Sequence, residues 1–93
     1  MQYVLHAYDY PDALERRMAA RPDHLEGVRV LRSKGQFHLG GALLDADGRM
    51  IGSMLLIEFE SQEAMDSWLA IEPYLVNRVW ERVDIRPFRR ADV

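Results

Sequence analysis

The sequence predicts an α+β fold, a ferredoxin-like βαββαβ antiparallel sheet, and three observations carry that prediction. Four stretches alternate apolar and other side chains with period two: residues 2–9, 36–44, 50–60 and 79–88. Helix-spaced apolar positions fill the intervals between the first and second stretches and between the third and fourth. Asp45-Ala46-Asp47-Gly48 joins the middle two stretches with residues that tolerate the backbone of a tight hairpin turn. Right-handed crossovers then put both helical connections on one face of the sheet.

The first strand sets Tyr3, Leu5 and Ala7 on one side and Val4, His6 and Tyr8 on the other, so packing-type side chains occupy both faces. Tyr10-Pro11-Asp12 ends it. Helical spacing begins with Leu14 and Met18, and Asp12 is placed to cap the first turn. Pro22 interrupts the pattern. A proline costs little at the first position of a helix and much inside one, which predicts a short helix, a break, and a second helix starting at Pro22 with the stripe Leu25, Val28 and Leu31. Gly35 is the expected stop.

Residues 36–44 return to extended structure with Phe37 and Leu39 on one face, and Gly40-Gly41 marks a bulge or a close backbone approach. Residues 50–60 place Ile51, Leu55, Ile57 and Phe59 on one side and Met54 and Leu56 on the other, the pattern of a strand buried on both faces. Ser61 caps the next helix, Glu63 favours its positive end, and Met65, Trp68 and Leu69 supply the packing side. Glu72-Pro73 closes it. The last strand runs through Val79, Val83 and Ile85, and residues 89–93 read as a loose tail on a single domain spanning residues 1–93. With helices on one face only, the other face has too many apolar side chains to stand in water, and sheet-to-sheet dimerisation is the simplest remedy.

Composition narrows the function classes. A chain of 93 residues buries only about 60–70% of its unfolded surface, which favours sharing stability with a partner. Twelve Lys and Arg against fifteen Asp and Glu give a net charge of −3, so no broad positive field attracts nucleic acid. The absence of cysteine removes disulfides, a thiol nucleophile and thiolate metal ligation, and fits a cytoplasmic address. The sequence opens directly into a strand pattern, and no run reaches the roughly 18 apolar residues of a membrane span, so neither export nor membrane insertion is expected.

Several residues invite a functional reading beside a structural one. Arg17 and Arg21, four apart, can aim at a carboxylate from one helix face or lie solvated on it. Tyr74 offers a phenol to a ligand oxygen, or serves as an aromatic plug before the last strand. His6 and His38 fall on different strands and, with His24, make no recognisable metal motif, so no metal and no cofactor is expected. Trp68 and Trp80 read as core or interface anchors rather than base-stacking platforms.

The segments Met1 to Asp9, Arg21-Pro22-Asp23-His24-Leu25, Gly40-Gly41, Phe59-Glu60-Ser61 and Pro73-Tyr74 through Arg86-Pro87-Phe88 together resemble the YciI-like family over nearly the whole chain. The resemblance implies a dimeric α+β barrel and a pocket where a helical His meets a carboxylate just before a Pro-Tyr or Pro-Phe pair, here His24 and Glu72. The family usually has Asp where this chain has Glu72, and Pro where it has Ala42. The extra methylene shifts the carboxylate by more than about 1 Å, a displacement large enough to weaken a catalytic pair.

His24 is expected in a first helical turn, where unpaired amides disfavour a positive imidazole and leave a neutral ring able to accept a proton. Glu72 would orient that ring or stabilise its cation. The alternative is a half-buried packing histidine bordering Val28 and Leu31. The resemblance thus implies a cofactor-independent enzyme of isomerase, lyase or dehalogenase type, acting on a small polar aromatic or lactone-like compound. His24 and Glu72 would be catalytic, and Tyr74, Arg17, Arg21, Gly40 and Gly41 would bind the ligand. A non-catalytic metabolite-binding module of the same fold is the second reading, and a purely structural dimer the third.

Overall fold

The computed structural model describes residues 1–93. Its elements, in chain order, are β1 (Gln2–Asp9), α1 (Leu14–Ser33), β2 (Phe37–Leu44), β3 (Met50–Glu58), α2 (Gln62–Ile71), α3 (Pro73–Val76) and β4 (Trp80–Phe88). The strands form one antiparallel sheet ordered β2-β3-β1-β4, the order a ferredoxin-like βαββαβ chain produces. Leu5 lies between Leu55 and Ile85, and Tyr3 between Ile57 and Pro87. Odd-numbered β1 residues therefore face the helices, and Val4, His6 and Tyr8 face away from them.

The hairpin forms where the turn sequence places it. Asp45 accepts hydrogen bonds from the amides of Asp47 and Arg49 through Oδ1, both at 2.9 Å, and Gly48 adopts the positive φ of 80° that a side chain would resist. Ser61 caps α2, its hydroxyl accepting from the Ala64 amide at 3.1 Å. The core joins Tyr3, Leu5, Leu55 and Ile57 of the sheet to Ala20 and Leu31 of α1, Met65 and Trp68 of α2, and Tyr74, Val79 and Trp80.

The break expected at Pro22 does not occur, because α1 runs through it as one 20-residue helix. Pro22 lies on the exposed side, so the Met18 carbonyl it leaves without an amide partner is on the water side of the helix. Burial of Arg17 and Ala20 before the proline, and of His24 and Leu31 after it, holds both halves in one line. Two smaller expectations fail with it. Asp12 does not cap α1 but sits in a turn at φ 58°, with Ala13 at the cap position and no side-chain cap bond. Leu14 and Met18 are exposed; of the expected stripe Leu31 is buried and Val28 packs against the core, joined by Arg17, Ala20 and His24.

An element not anticipated is α3, a single turn immediately after α2. Pro73 opens it, and Glu72 caps it by accepting the Tyr74 amide at 2.9 Å. Residues 89–93 are exposed and carry no regular structure. The sheet face opposite the helices carries Leu39, Met54, Leu56 and Val4 in its middle, with Arg82, Asp84 and Arg86 along the β4 edge. No helix is long and apolar enough to cross a membrane.

Candidate functional site

The buried stripe of α1 is unusual in carrying two polar side chains, Arg17 and His24, against the sheet. Each is matched. His24 Nδ1 lies 2.7 Å from Glu72 Oε1, and the two residues are 7% and 1% exposed. A carboxylate has no proton to give, so the imidazole donates from Nδ1. The same Oε1 accepts the Tyr74 amide, which fixes the carboxylate at the start of α3. The added methylene of Glu72 therefore does not separate the pair: the helical turn at Pro73 presents its carboxylate to His24 at hydrogen-bond distance.

Aromatic rings fix the imidazole from two sides. The Tyr74 ring stacks on it at 3.9 Å between centroids and 15° between planes, and Trp80 meets it edge-on at 5.9 Å. With Nδ1 committed to Glu72, Nε2 has no partner in the chain. His24 lies in the middle of α1, remote from either end, so the helix-end field invoked for a first-turn position does not act on it.

Arg17 is 3% exposed, which corrects its reading as a solvated arginine. Its Nη1 donates to both carboxylate oxygens of Asp9 at 3.0–3.1 Å, its Nη2 donates to Ser53 Oγ at 2.9 Å, and its guanidinium lies 4.7 Å from the Tyr74 ring centre. Burial raises the Asp9 carboxyl above its ordinary value, although the charge and hydrogen bonds of Arg17 pull it down. Burial likewise raises the Tyr74 phenol, against the lowering influence of Arg17 and Arg21, which keeps it a neutral hydroxyl. Trp80 Nε1 donates to Ser53 Oγ at 3.1 Å.

Beside this network lies a cavity of about 90 Å³ between α1 and the β2–β3 half of the sheet. Arg17, Arg21, His24, Gly40, Gly41, Ser53 and Tyr74 line it, with Leu25, Val28, Phe37, Ala42 and Leu55 as its apolar wall. Glu72 stands behind His24 and does not border it. Arg21 makes no ion pair and is the cavity's uncompensated cation. Gly40 keeps the floor open, since a Cβ there would come within 2.9 Å of the Phe37 ring and of the Met54 carbonyl oxygen. Gly41 contributes backbone only, and a Cβ on it would meet nothing within 4 Å.

His6 and His38 stay away from the cavity. His6 is exposed on the outer sheet face, and His38 pairs with Glu58 at 2.7 Å. No three His, Asp or Glu side chains converge as a metal-binding group. Asp9, Ser53 and Trp80, which complete the hydrogen-bond network beside the cavity, are not among the residues the sequence reading singled out for the site. The signal for the first two was present: Asp9 continues the inward series Tyr3, Leu5, Ala7, and Ser53 interrupts the inward series Ile51, Leu55, Ile57. A polar residue at a core position needs a partner, and that need is readable before the partner is known.

Fold and site together define a ferredoxin-like α+β domain that seats a buried imidazole–carboxylate pair beside a small polar cavity. The chain belongs to the YCII-related domain family, which matches residues 1–89. It is 34% identical over 97 aligned positions to Protein YciI of Escherichia coli O6:H1, covering 98% of this chain and 99% of that one. An uncharacterised protein of Haemophilus influenzae is 31% identical over the same shares of the two chains. Among solved structures, the 5-chloro-2-hydroxyhydroquinone dehydrochlorinase TftG of Burkholderia phenoliruptrix AC1100, in complex with 2,5-dihydroxybenzoquinone, superimposes with a TM-score of 0.89. Its identity is 24%, with 98% of this chain and 96% of that chain covered, a likeness of fold.

Proposed function

We propose that this protein is a small cofactor-independent enzyme that performs acid–base chemistry on a compact, oxygen-bearing organic molecule, of polar aromatic or lactone-like type. The observation that carries the reading is the 2.7 Å contact between buried Glu72 and His24 Nδ1, which leaves Nε2 as the free nitrogen of a ring lining the cavity. In that arrangement Nε2 takes a proton from the substrate, and Glu72 stabilises the imidazolium while it lasts. Arg21 supplies a positive charge for substrate oxygen. Isomerisation, elimination and dehalogenation all need this proton traffic, and the dehydrochlorinase of the same fold is an instance of such chemistry.

The cavity is smaller than the roughly 150 Å³ that holds a benzene ring in an engineered protein core, so a ring-sized substrate enters only in part. A homodimer formed through the outer sheet face is part of this proposal. Leu39, more than half exposed there, together with the half-buried Met54 and Val4 makes an apolar centre that a second copy would cover. Sedimentation of the wild type and of Leu39→Asp at micromolar concentration tests it: a dimer that dissociates on substitution is expected, and a wild-type monomer refutes it.

The catalytic test is a panel of hydroxylated aromatics, chlorinated hydroquinones and lactones, followed by NMR in D2O for proton exchange or conversion. His24→Asn should lower turnover by about 10²- to 10⁴-fold, the usual contribution of a general acid or base. Unchanged turnover in His24→Asn would overturn the assignment. A second reading, a metabolite-binding module without catalysis, is favoured by one observation: Arg17, the most buried cation at the cavity, is already neutralised by Asp9. Saturable binding that depends on His24, Arg21 and Tyr74, with no conversion of any bound compound, would select it.

A further inference from the structure

We infer that Ser53 is a ligand-contacting residue whose hydroxyl proton is directed into the cavity as the hydrogen-bond donor for a carbonyl, enolate or phenolate oxygen. This deepens the proposed acid–base reading by assigning where the substrate oxygen sits, and it rests on the hydrogen-bond inventory around one atom.

Ser53 is 1% exposed, in the middle of β3, between Ala7 on β1 and Ala42 on β2. Its Oγ accepts two hydrogen bonds, from Arg17 Nη2 at 2.9 Å and from Trp80 Nε1 at 3.1 Å. A guanidinium and an indole N–H are donors with no acceptor capacity, and a hydroxyl has two acceptor lone pairs and one proton. Both lone pairs are thus engaged, and neither neighbour can receive the proton. No side chain or main-chain carbonyl of the protein accepts it either. Asp9, the carboxylate of the same network, pairs with Arg17 and makes no hydrogen bond with Ser53.

What remains is the cavity that Ser53 lines. An unshared O–H in a buried site carries a desolvation cost unless something there accepts it, so the cavity selects for an acceptor atom at this point. Donation from a cation onto one lone pair polarises the hydroxyl and strengthens the bond it offers, by the cooperativity of hydrogen-bond chains. Arg17 acts on the ligand through Ser53, which accounts for a buried arginine whose own charge is balanced by Asp9. The wall opposite, on α1, supplies His24 and Arg21. The substrate class this geometry fits is a molecule with an electron-rich oxygen held by Ser53 and Arg21 and an acidic C–H or O–H presented to His24.

The first measurement needs no ligand: a high-resolution crystal structure of the wild type, ideally with neutron data. An ordered water on the cavity side at about 2.8 Å from Ser53 Oγ, with the serine proton pointing at it, is expected. A proton donated to a main-chain carbonyl, or a dry cavity face at Ser53, overturns the inference. The second uses 2,5-dihydroxybenzoquinone in calorimetric titrations of wild type, Ser53→Ala and Ser53→Thr. Ser53→Ala should weaken binding by about 10- to 100-fold and Ser53→Thr, which keeps the hydroxyl, should retain most of it. Equal affinity of Ser53→Ala and wild type overturns the inference. If the wild type does not bind this quinone, the proposed substrate class fails while the water position still decides the role of Ser53. If Ser53→Ala unfolds because Arg17 and Trp80 lose their acceptor, the wild-type proton position and the Ser53→Thr affinity carry the decision.

Discussion

Replacing Arg17 by Met tests the polar knot beneath the cavity more severely than any other single change. Met keeps the length and fills the space, but it removes the cation, two hydrogen bonds to Asp9 and one to Ser53. Asp9 is then a carboxylate with a nearly inaccessible side chain and no counter-charge. Breaking one half of a buried ion pair costs about 3–5 kcal/mol, chiefly for the charge left behind. For a domain of this length that lowers Tm by on the order of 12–40 °C.

The loss should depend on pH in a defined direction. The Asp9 carboxyl already lies above its ordinary value of 3.8 because of burial, and removing Arg17 removes the influences that lower it. A carboxyl whose folded value exceeds its unfolded value binds more protons in the folded state between the two. Stability therefore falls as pH rises from 3.8 through the raised folded value, and the charge contribution is absent below 3.8. Urea denaturation of wild type, Arg17→Met and the double variant Arg17→Met/Asp9→Asn, at matched protein concentration, reads all three effects. The single variant should lose less at pH 4 than at pH 7, and the double variant should recover at least about half of the pH 7 loss. A pH-independent loss, or no recovery with Asn at position 9, would refute the account of Arg17 and Asp9 as a compensated buried pair.

Three further predictions follow from features outside that knot. Pro22→Ala restores a backbone donor inside α1 at an exposed position and should raise stability by about 1–3 kcal/mol in thermal or urea unfolding; a decrease would show that the proline ring is needed where it stands. Gly52→Ala puts a Cβ 2.4 Å from the Ala7 carbonyl oxygen across the β1–β3 ladder and should cost about 2 kcal/mol or more, whereas Gly27→Ala, which meets nothing within 4 Å in α1, should gain about 0.5–1 kcal/mol. His38→Ala removes the leading cause that holds the Glu58 carboxyl below its ordinary value, so its titration, followed by carboxyl NMR, should move up. Because the folded value is depressed, the associated stabilisation is present above the unfolded value and is lost as pH falls through the folded one. An unmoved Glu58 in His38→Ala would contradict that cause.

What could be read from the chain and what could not divides along a physical line. The succession of strands and helices along the chain, the Asp45–Gly48 turn and the Ser61 cap are decided by neighbours within a few residues, through period-two alternation, tolerance of positive φ and side-chain capping, so the sequence alone shows them. The interrupted helix was misread for the same reason in reverse: Pro22 is locally a breaker, and only the burial of Arg17 and Ala20 on one side of it and His24 and Leu31 on the other overrides that preference. Likewise α3 is too short to leave a periodic signal.

The pairing of His24 with Glu72 spans 48 residues and came from family resemblance alone, since no spacing rule relates a helix face to the cap of a distant turn. Asp9 and Ser53 announced themselves as polar residues at inward positions, yet nothing in the chain said that one guanidinium would satisfy both. The sequence determined the inward faces of the strands and that polar residues on them would need partners, but not which face of α1 would be buried. The tertiary structure decided the partners, because hydrogen bonds form between groups that packing brings within 3 Å, and that distance is set by how α1 and α3 lie against the sheet.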